Sequence, residues 1–155
     1  MKIKEHLLEN CIVLDLDVKN KEEAWNLLAD RLQQSGVVSI AEQYLEDVAA
    51  RESLGTTGVG YGVAIPHAKS AAVSNPCVAI ARLSKPIDVN AVDGAGADLV
   101  FMVGVPVDGV DVNLQILSTL ARMIRHDSFL AALRSAATPQ EVIAIVGEQE
   151  EKLPS

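Results

Sequence analysis

A chain of 155 residues with 49% apolar side chains is long and greasy enough for one domain with a sizeable core, which excludes a disordered protein. Aromatics at 3% exclude the stacking platforms that single-stranded nucleic acids need, and they leave Val, Ile, Leu and Ala to build the core. A net charge of −8 excludes a phosphate-backbone partner and permits a basic protein one.

The opening "MKIKEHLLEN" lacks the apolar stretch of a signal peptide, and His6 sits in a segment that reads as frayed. "CIVLDLDV" reads as a first strand. "NKEEAWNLLADRLQQSG" reads as a helix: Asn20 caps it, Glu23 completes a capping box and Gly36 stops it. Ala24, Leu27, Leu28 and Leu32 form its apolar stripe, with Trp25 at the edge. "SIAEQYLEDVAARESLG" repeats the design, with Ser39 as cap, Gly55 past the end, and Ile40, Tyr44, Leu45 and Val48 at helical spacing. A glycine loop follows, then a short strand "VAIP", a strand "NPCVAIARLSKP" bracketed by Pro76 and Pro86, and a short strand in "IDVNAVDGAGA" with a turn at Asp93-Gly94. "DLVFMVGVP" is the most apolar run and reads as a central strand.

The last third reads as three helices. The first carries Leu114, Leu117, Leu120, Ala121 and Ile124 on its apolar face; the second starts at an Asp127 cap; the third has a Thr138 cap, Pro139 at its first position, Glu141 for the box and Gly147 at its end. The expected fold is α/β: a single domain over residues 1–148, with a mixed β-sheet of about five strands and helices on both faces, and a frayed tail over 149–155. No segment reaches the length of a membrane span. Cys11 and Cys77 each open an apolar run, form no C-x-x-C pair and have no His at ligand spacing, so they read as buried free thiols in a reducing cytosol.

"TTGVGYGVAIPHAKS" carries the chemistry in question. Its glycines fail the dinucleotide fingerprint, since they follow G-x-G-x-G and precede a strand instead of opening a helix. A flexible turn and an anion cradle of backbone N–H groups both remain open. His67 follows Pro66, whose fixed φ stiffens the approach, and alternation puts it on the face of Val63 and Ile65. A strand-end imidazole beside a loop serves as base, nucleophile or ligand, and equally as a structural group. His126, between two helices, and Arg51, at a helix end, read as partners of helix-end carbonyls. Neither a hydrolase triad nor a Walker loop is present.

Arg51-Glu52, Leu54-Gly55-Thr56-Thr57-Gly58-Val59-Gly60 and Ala64-Ile65-Pro66-His67, taken together, resemble the signature of the enzyme IIA component of the bacterial phosphoenolpyruvate-dependent sugar phosphotransferase system, fructose/mannitol class, which includes nitrogen-regulatory IIA proteins. The resemblance continues through "KPIDVNAVDG", "DLVFMVGVP" and a leucine-rich helix, so it covers essentially the whole chain. It implies a phosphohistidine carrier: His67 accepts a phosphoryl group from HPr or its nitrogen-branch relative and passes it to a IIB component for sugar uptake, with Arg51 stabilising the phosphate. Thr57, Gly58 and Gly60 are implied as supporting groups. No cofactor and no metal is needed, the location implied is cytoplasmic, and the membrane is reached only through a IIC component. Phosphoryl transfer suits such a site, because its catalysis is mainly positioning and electrostatics.

The chain departs from the family at one position: Asn113 stands where members carry a second histidine before a leucine. Asn donates a hydrogen bond but carries no charge. The alternative expectation is therefore a regulatory, nitrogen-related IIA protein whose His67 phosphorylation state switches binding to a partner protein. A homologue that is not phosphorylated at all is the third reading. The sequence does not name the sugar.

Overall fold

The computed structural model describes residues 2–154. A 3-10 turn (Ile3–His6) leads into β1 (Leu7–Leu16), α1 (Lys21–Gln34) and α2 (Ala41–Glu52). Three short strands follow, β2 (Gly58–Gly60), β3 (Val63–Ala64) and β4 (His67–Lys69), then two long ones, β5 (Cys77–Ile87) and β6 (Ala97–Val105). Helices α3 (Val110–Met123), α4 (Asp127–Ser135) and α5 (Pro139–Lys152) complete the chain. The sheet is mixed. Its order is β1-β5-β6-β3-β2, and β4 also pairs with β6, so β3 and β4 form one interrupted line along it. β6 lies between β5 and that line, as its apolarity predicts.

Alternation along the strands divides the interior into two cores. Val100 and Met102 of β6, with Ala79 and Ala81 of β5, face α1 and α2; Leu99, Phe101, Val103 and Val105, with Val78 and Ile80, face α3, α4 and α5. Small alanines on the first face let α1 lie close to the sheet. Cys11 and Cys77 are buried in the same layer as free thiols; burial pushes the Cys77 thiol up to about 12.

Asn20 Oδ1 accepts from Glu23 N at 2.9 Å, Thr138 Oγ1 accepts from Glu141 N at 3.2 Å, and Gly36 takes a φ of +87° past the end of α1. Other elements differ from the reading of the sequence. Ser39 does not cap α2: the Ala41 N–H donates to Gln33 Oε1, and the Ser39 hydroxyl donates to Ala72 O. Ile40 is consequently the exposed cap residue rather than part of the stripe. Asp127 is the first residue of α4, after the cap residue His126, and makes no capping bond. No strand forms over 88–96, because Asp88 and Asp93 bond the N–H groups of Asn90 and Ala95 and commit the segment to turns. β5 passes through Pro86 to Ile87 at a register shift, where the ladder does not need a proline N–H.

The two chain ends differ most. The helix expected to stop at Gly147 continues to Lys152, so residues 149–152 are helix and not a frayed tail. Gly147 lies inside that helix, where a Cβ would stand 2.9 Å from Cδ of the Lys4 side chain. Glu150 is buried, and its carboxylate accepts from Ile3 N at 2.8 Å and Lys4 N at 3.0 Å. The segment around His6, read as frayed, is therefore pinned, with Ile3 in the core.

Candidate functional site

The site forms where one line of the sheet breaks. β3 ends at Ala64; Ile65 N turns away from β6 and donates to Thr57 O, and Pro66 has no N–H to give. Pro66 O accepts from Val103 N, and pairing resumes with His67 opposite Val103. The interruption places His67 at the start of β4, half-buried, in a cleft of about 440 Å³. Asp47, Arg51 and Leu54 line it from α2 and its end, Lys69 from β4, and Asn113 from the first turn of α3. Tyr44 fixes α2 against this part of the sheet, since its buried hydroxyl donates to Val103 O at 2.7 Å.

The tautomer of His67 follows from its partner. Nδ1 lies 2.8 Å from Ile65 O, and a carbonyl can only accept, so Nδ1 carries the proton and Nε2 keeps its lone pair. Burial pushes the imidazole below its ordinary value; the Ile65 hydrogen bond opposes that shift, the Arg51 cation adds to it, and the Glu52 carboxylate opposes it. The ring is thus neutral and nucleophilic at pH 7.

Arg51 donates through Nη1 to Gly55 O at 2.9 Å. Among the described residues neither Arg51 nor Lys69 is in a salt bridge, so both cations are available to an anion in the cleft. Asn113 N donates to Gly109 O, while its side-chain Oδ1 is buried without a partner.

The structure brings together His67, Arg51 and Asn113 and leaves Thr57, Gly58 and Gly60 out of the cleft lining. The Thr57 hydroxyl donates to Glu52 Oε1, and Thr57 N donates to Glu52 Oε2 at 2.9 Å. Its role here is to tie the loop to the end of α2. The Gly58 N–H donates to Thr56 Oγ1 at 3.0 Å, and Gly60 pairs with Val63. These glycines therefore build a hairpin, not an anion cradle. A Cβ at Gly58 would come within 2.9 Å of the Ala91 Cα and the Val89 O, so the position must be glycine for the 88–96 segment to lie over it. The turn is completed by Tyr61 and Gly62, both at positive φ, a type I′ pattern. Sequence reasoning gave no role to Asp47 or to the Glu52 clamp. Spacing offered a signal for Asp47 alone, one helical turn before Arg51 on the same face.

A mixed α/β sheet thus presents, in one open cleft, a histidine with one ring nitrogen committed and two cations outside any salt bridge, a setting suited to an anionic group. Residues 5–149 match the family described as "Phosphoenolpyruvate-dependent sugar phosphotransferase system, EIIA 2", and the chain belongs to that family. It is accordingly a phosphotransferase-system component of the phosphoryl-carrier kind. The chain is 40% identical over 137 residues to the fructose-specific EIIA component of Haloferax volcanii, covering 88% of this chain and 89% of that one. It is 36% identical over 148 residues to the 2-O-alpha-mannosyl-D-glycerate-specific EIIABC component of Escherichia coli; the match covers 94% of this chain but only 22% of that relative's length. Among solved structures it is similar to the nitrogen regulatory protein IIA-Ntr of Neisseria meningitidis, with a TM-score of 0.86 and 34% identity over 93% of this chain and 98% of that one. Among the described residues no helix is long and apolar enough to cross a membrane.

Proposed function

We propose that His67 is the phosphoryl acceptor of this carrier, that Arg51 stabilises the transferred group, and that the donor is the phosphohistidine of HPr or of a nitrogen-branch relative in the cytoplasm. A IIB component for sugar uptake is the onward acceptor. The observation that carries this reading is the Ile65 carbonyl on His67 Nδ1, which leaves the Nε2 lone pair in the cleft shared with Arg51.

The step balances as follows. The Nε2 pair attacks phosphorus and forms an N–P bond; the donor's N–P bond breaks, and its electron pair returns to the donor imidazole. His67 then bears substituents on both ring nitrogens and gains positive charge. The Nδ1–H···O=C bond to Ile65 stabilises that charge, and the charged ring becomes a good leaving group for transfer to IIB. Arg51 and Lys69 meet the charge on the equatorial oxygens, where such transfer states carry it.

The test is incubation with phosphoenolpyruvate, enzyme I and HPr. The expected product carries one acid-labile phosphoryl group and disappears in His67→Ala. A missing label, or label that survives His67→Ala, overturns the reading.

A second reading concerns use rather than chemistry. The resemblance to a nitrogen-regulatory structure supports a protein whose phosphorylation state switches a partner contact. Capture with unphosphorylated and phosphorylated bait separates the two: recovery of IIB alone favours sugar uptake, and state-dependent recovery of a different protein favours regulation.

A further inference from the structure

Asn113 stands out among the groups of the cleft, because a polar atom of its side chain is both buried and unsatisfied. Its Oδ1 makes no hydrogen bond, one of two such side-chain atoms among the described residues. The amide nitrogen at the other end is not among the buried unsatisfied atoms, and Asn113 lines the cleft. A carboxamide held this way shields its acceptor and offers two N–H donors. A native protein tolerates a buried orphan acceptor where function requires the geometry.

The surroundings define what those donors would meet. The charged and titratable groups facing Asn113 are Asp47 and Arg51 from α2, and His67 and Lys69 from β4, with Glu52 just behind in its clamp with Thr57. α3 contributes no ionisable side chain to the lining. The only free lone pair on His67 is Nε2, so a phosphoryl group attached there brings its oxygens into this same cleft. Two cations and one neutral double donor then surround it.

We propose that the Asn113 carboxamide hydrogen-bonds the phosphoryl oxygens on His67, as an uncharged clamp that completes the cation pair Arg51 and Lys69. The proposal rests on the reading of His67 as acceptor. Its chemical consequence is a site in which His67 is the single imidazole. No second ring gains or loses a proton in the neutral range, so phosphoryl retention and transfer follow the ionisation of one imidazole and of the phosphoryl group itself.

The experiment follows phosphorylation of the full chain by enzyme I, HPr and labelled phosphoenolpyruvate between pH 5.5 and 8.5, for the wild type, Asn113→Ala, Asn113→Asp and Asn113→His. Loss of a hydrogen bond to a charged group predicts a fall in the maximal transfer rate of about 10- to 100-fold in Asn113→Ala, with an unchanged KM for HPr. Asn113→Asp, of the same shape, falls further, because it sets an anion against an anion. Asn113→His gains a new step in its pH profile near an ordinary imidazole value of about 6.5, with the faster rate on the acid side. Thermal midpoints of the four proteins monitor folding.

Wild-type rates in both Asn113→Ala and Asn113→Asp overturn the proposal. So does an equal loss in all three variants with no new pH step in Asn113→His, which marks a structural role. A wild type that takes no label, or keeps it in His67→Ala, defeats the underlying reading of His67 instead, and the two failures are told apart by the wild-type lane alone.

Discussion

Fixing one ring nitrogen decides what the other can do. With Nδ1–H committed to Ile65 O, His67 cannot change tautomer without losing a 2.8 Å hydrogen bond, so the nitrogen that keeps its lone pair is Nε2. Burial lowers the imidazole's proton affinity from its ordinary 6.5, the Arg51 cation adds to the lowering, and the Ile65 and Glu52 oxygens only partly offset it. The sign for kinetics follows. With His67 as the proposed acceptor, the neutral ring is the reactive form, so the ring's own titration leaves the rate of phosphoryl acceptance unchanged from pH 8 down past 6.5 and lowers it only as pH drops through the lowered value. A pH-rate profile with its acid limb above 6.5 would contradict this. The same sign governs stability: the unfolded chain binds the proton more readily, so His67 disfavours the folded state as pH falls below 6.5.

At the level of elements, the glycine hairpin is the sharpest test of placement. Gly58 is packed under Val89 and Ala91, and its N–H is already used by Thr56. Gly58→Ala is expected to destabilise the protein by about 1–3 kcal/mol through overpacking, while the folded fraction still accepts phosphate normally. Chemical denaturation with parallel labelling checks it; lost labelling at unchanged stability would restore the anion cradle. The same elements show which parts of the fold a single sequence discloses. Asn20, Thr138, Pro139 and Gly36 announce helix ends through bonds made within a few residues, and these local rules held. Ser39 and Gly147 carry the same signals and mean something else. Gln33 reaches across to the start of α2, and Lys4 crosses over α5; neither partner is adjacent in sequence. The apolar face expected for α3 holds at Leu120 and Ile124, which are buried, and at Leu117, which packs against that core, but not at Leu114 or Ala121. Ile116, Leu120 and Met123 pack on the sheet, whereas Leu114, expected inside, is 66% exposed beside the Asn113 that lines the cleft. Periodicity alone credits such an exposed apolar residue to the core. The sequence motif singles out His67 and Arg51 by residue type and spacing, and the structure places both in one cleft. The Glu52–Thr57 clamp was not legible, because a carboxylate after an arginine reads equally as solvated surface.

Across the whole molecule, the sheet separates two cores that share β5 and β6, and the chain's extremities are tied to each other by one buried carboxylate. Glu150→Ala strands the N–H groups of Ile3 and Lys4 and is expected to cost about 1–3 kcal/mol. For a chain of this size that lowers the thermal midpoint by roughly 2–4 °C per kcal/mol. Amide exchange should quicken at Ile3 and Lys4 before it does in β6. Unchanged protection there would mean that the Ile3 side chain alone holds the segment. Glu150→Gln, which keeps one acceptor oxygen, should fall between the two.

That carboxylate also fixes where the polypeptide enters and leaves. Ile3 and Glu150 are in hydrogen-bond contact, so any tether attached before the first or after the second departs from a single corner. The domain hangs from that corner like a bead threaded at one point. Two linkers joined there would leave the domain side by side, although Ile3 and Glu150 are 147 residues apart in sequence.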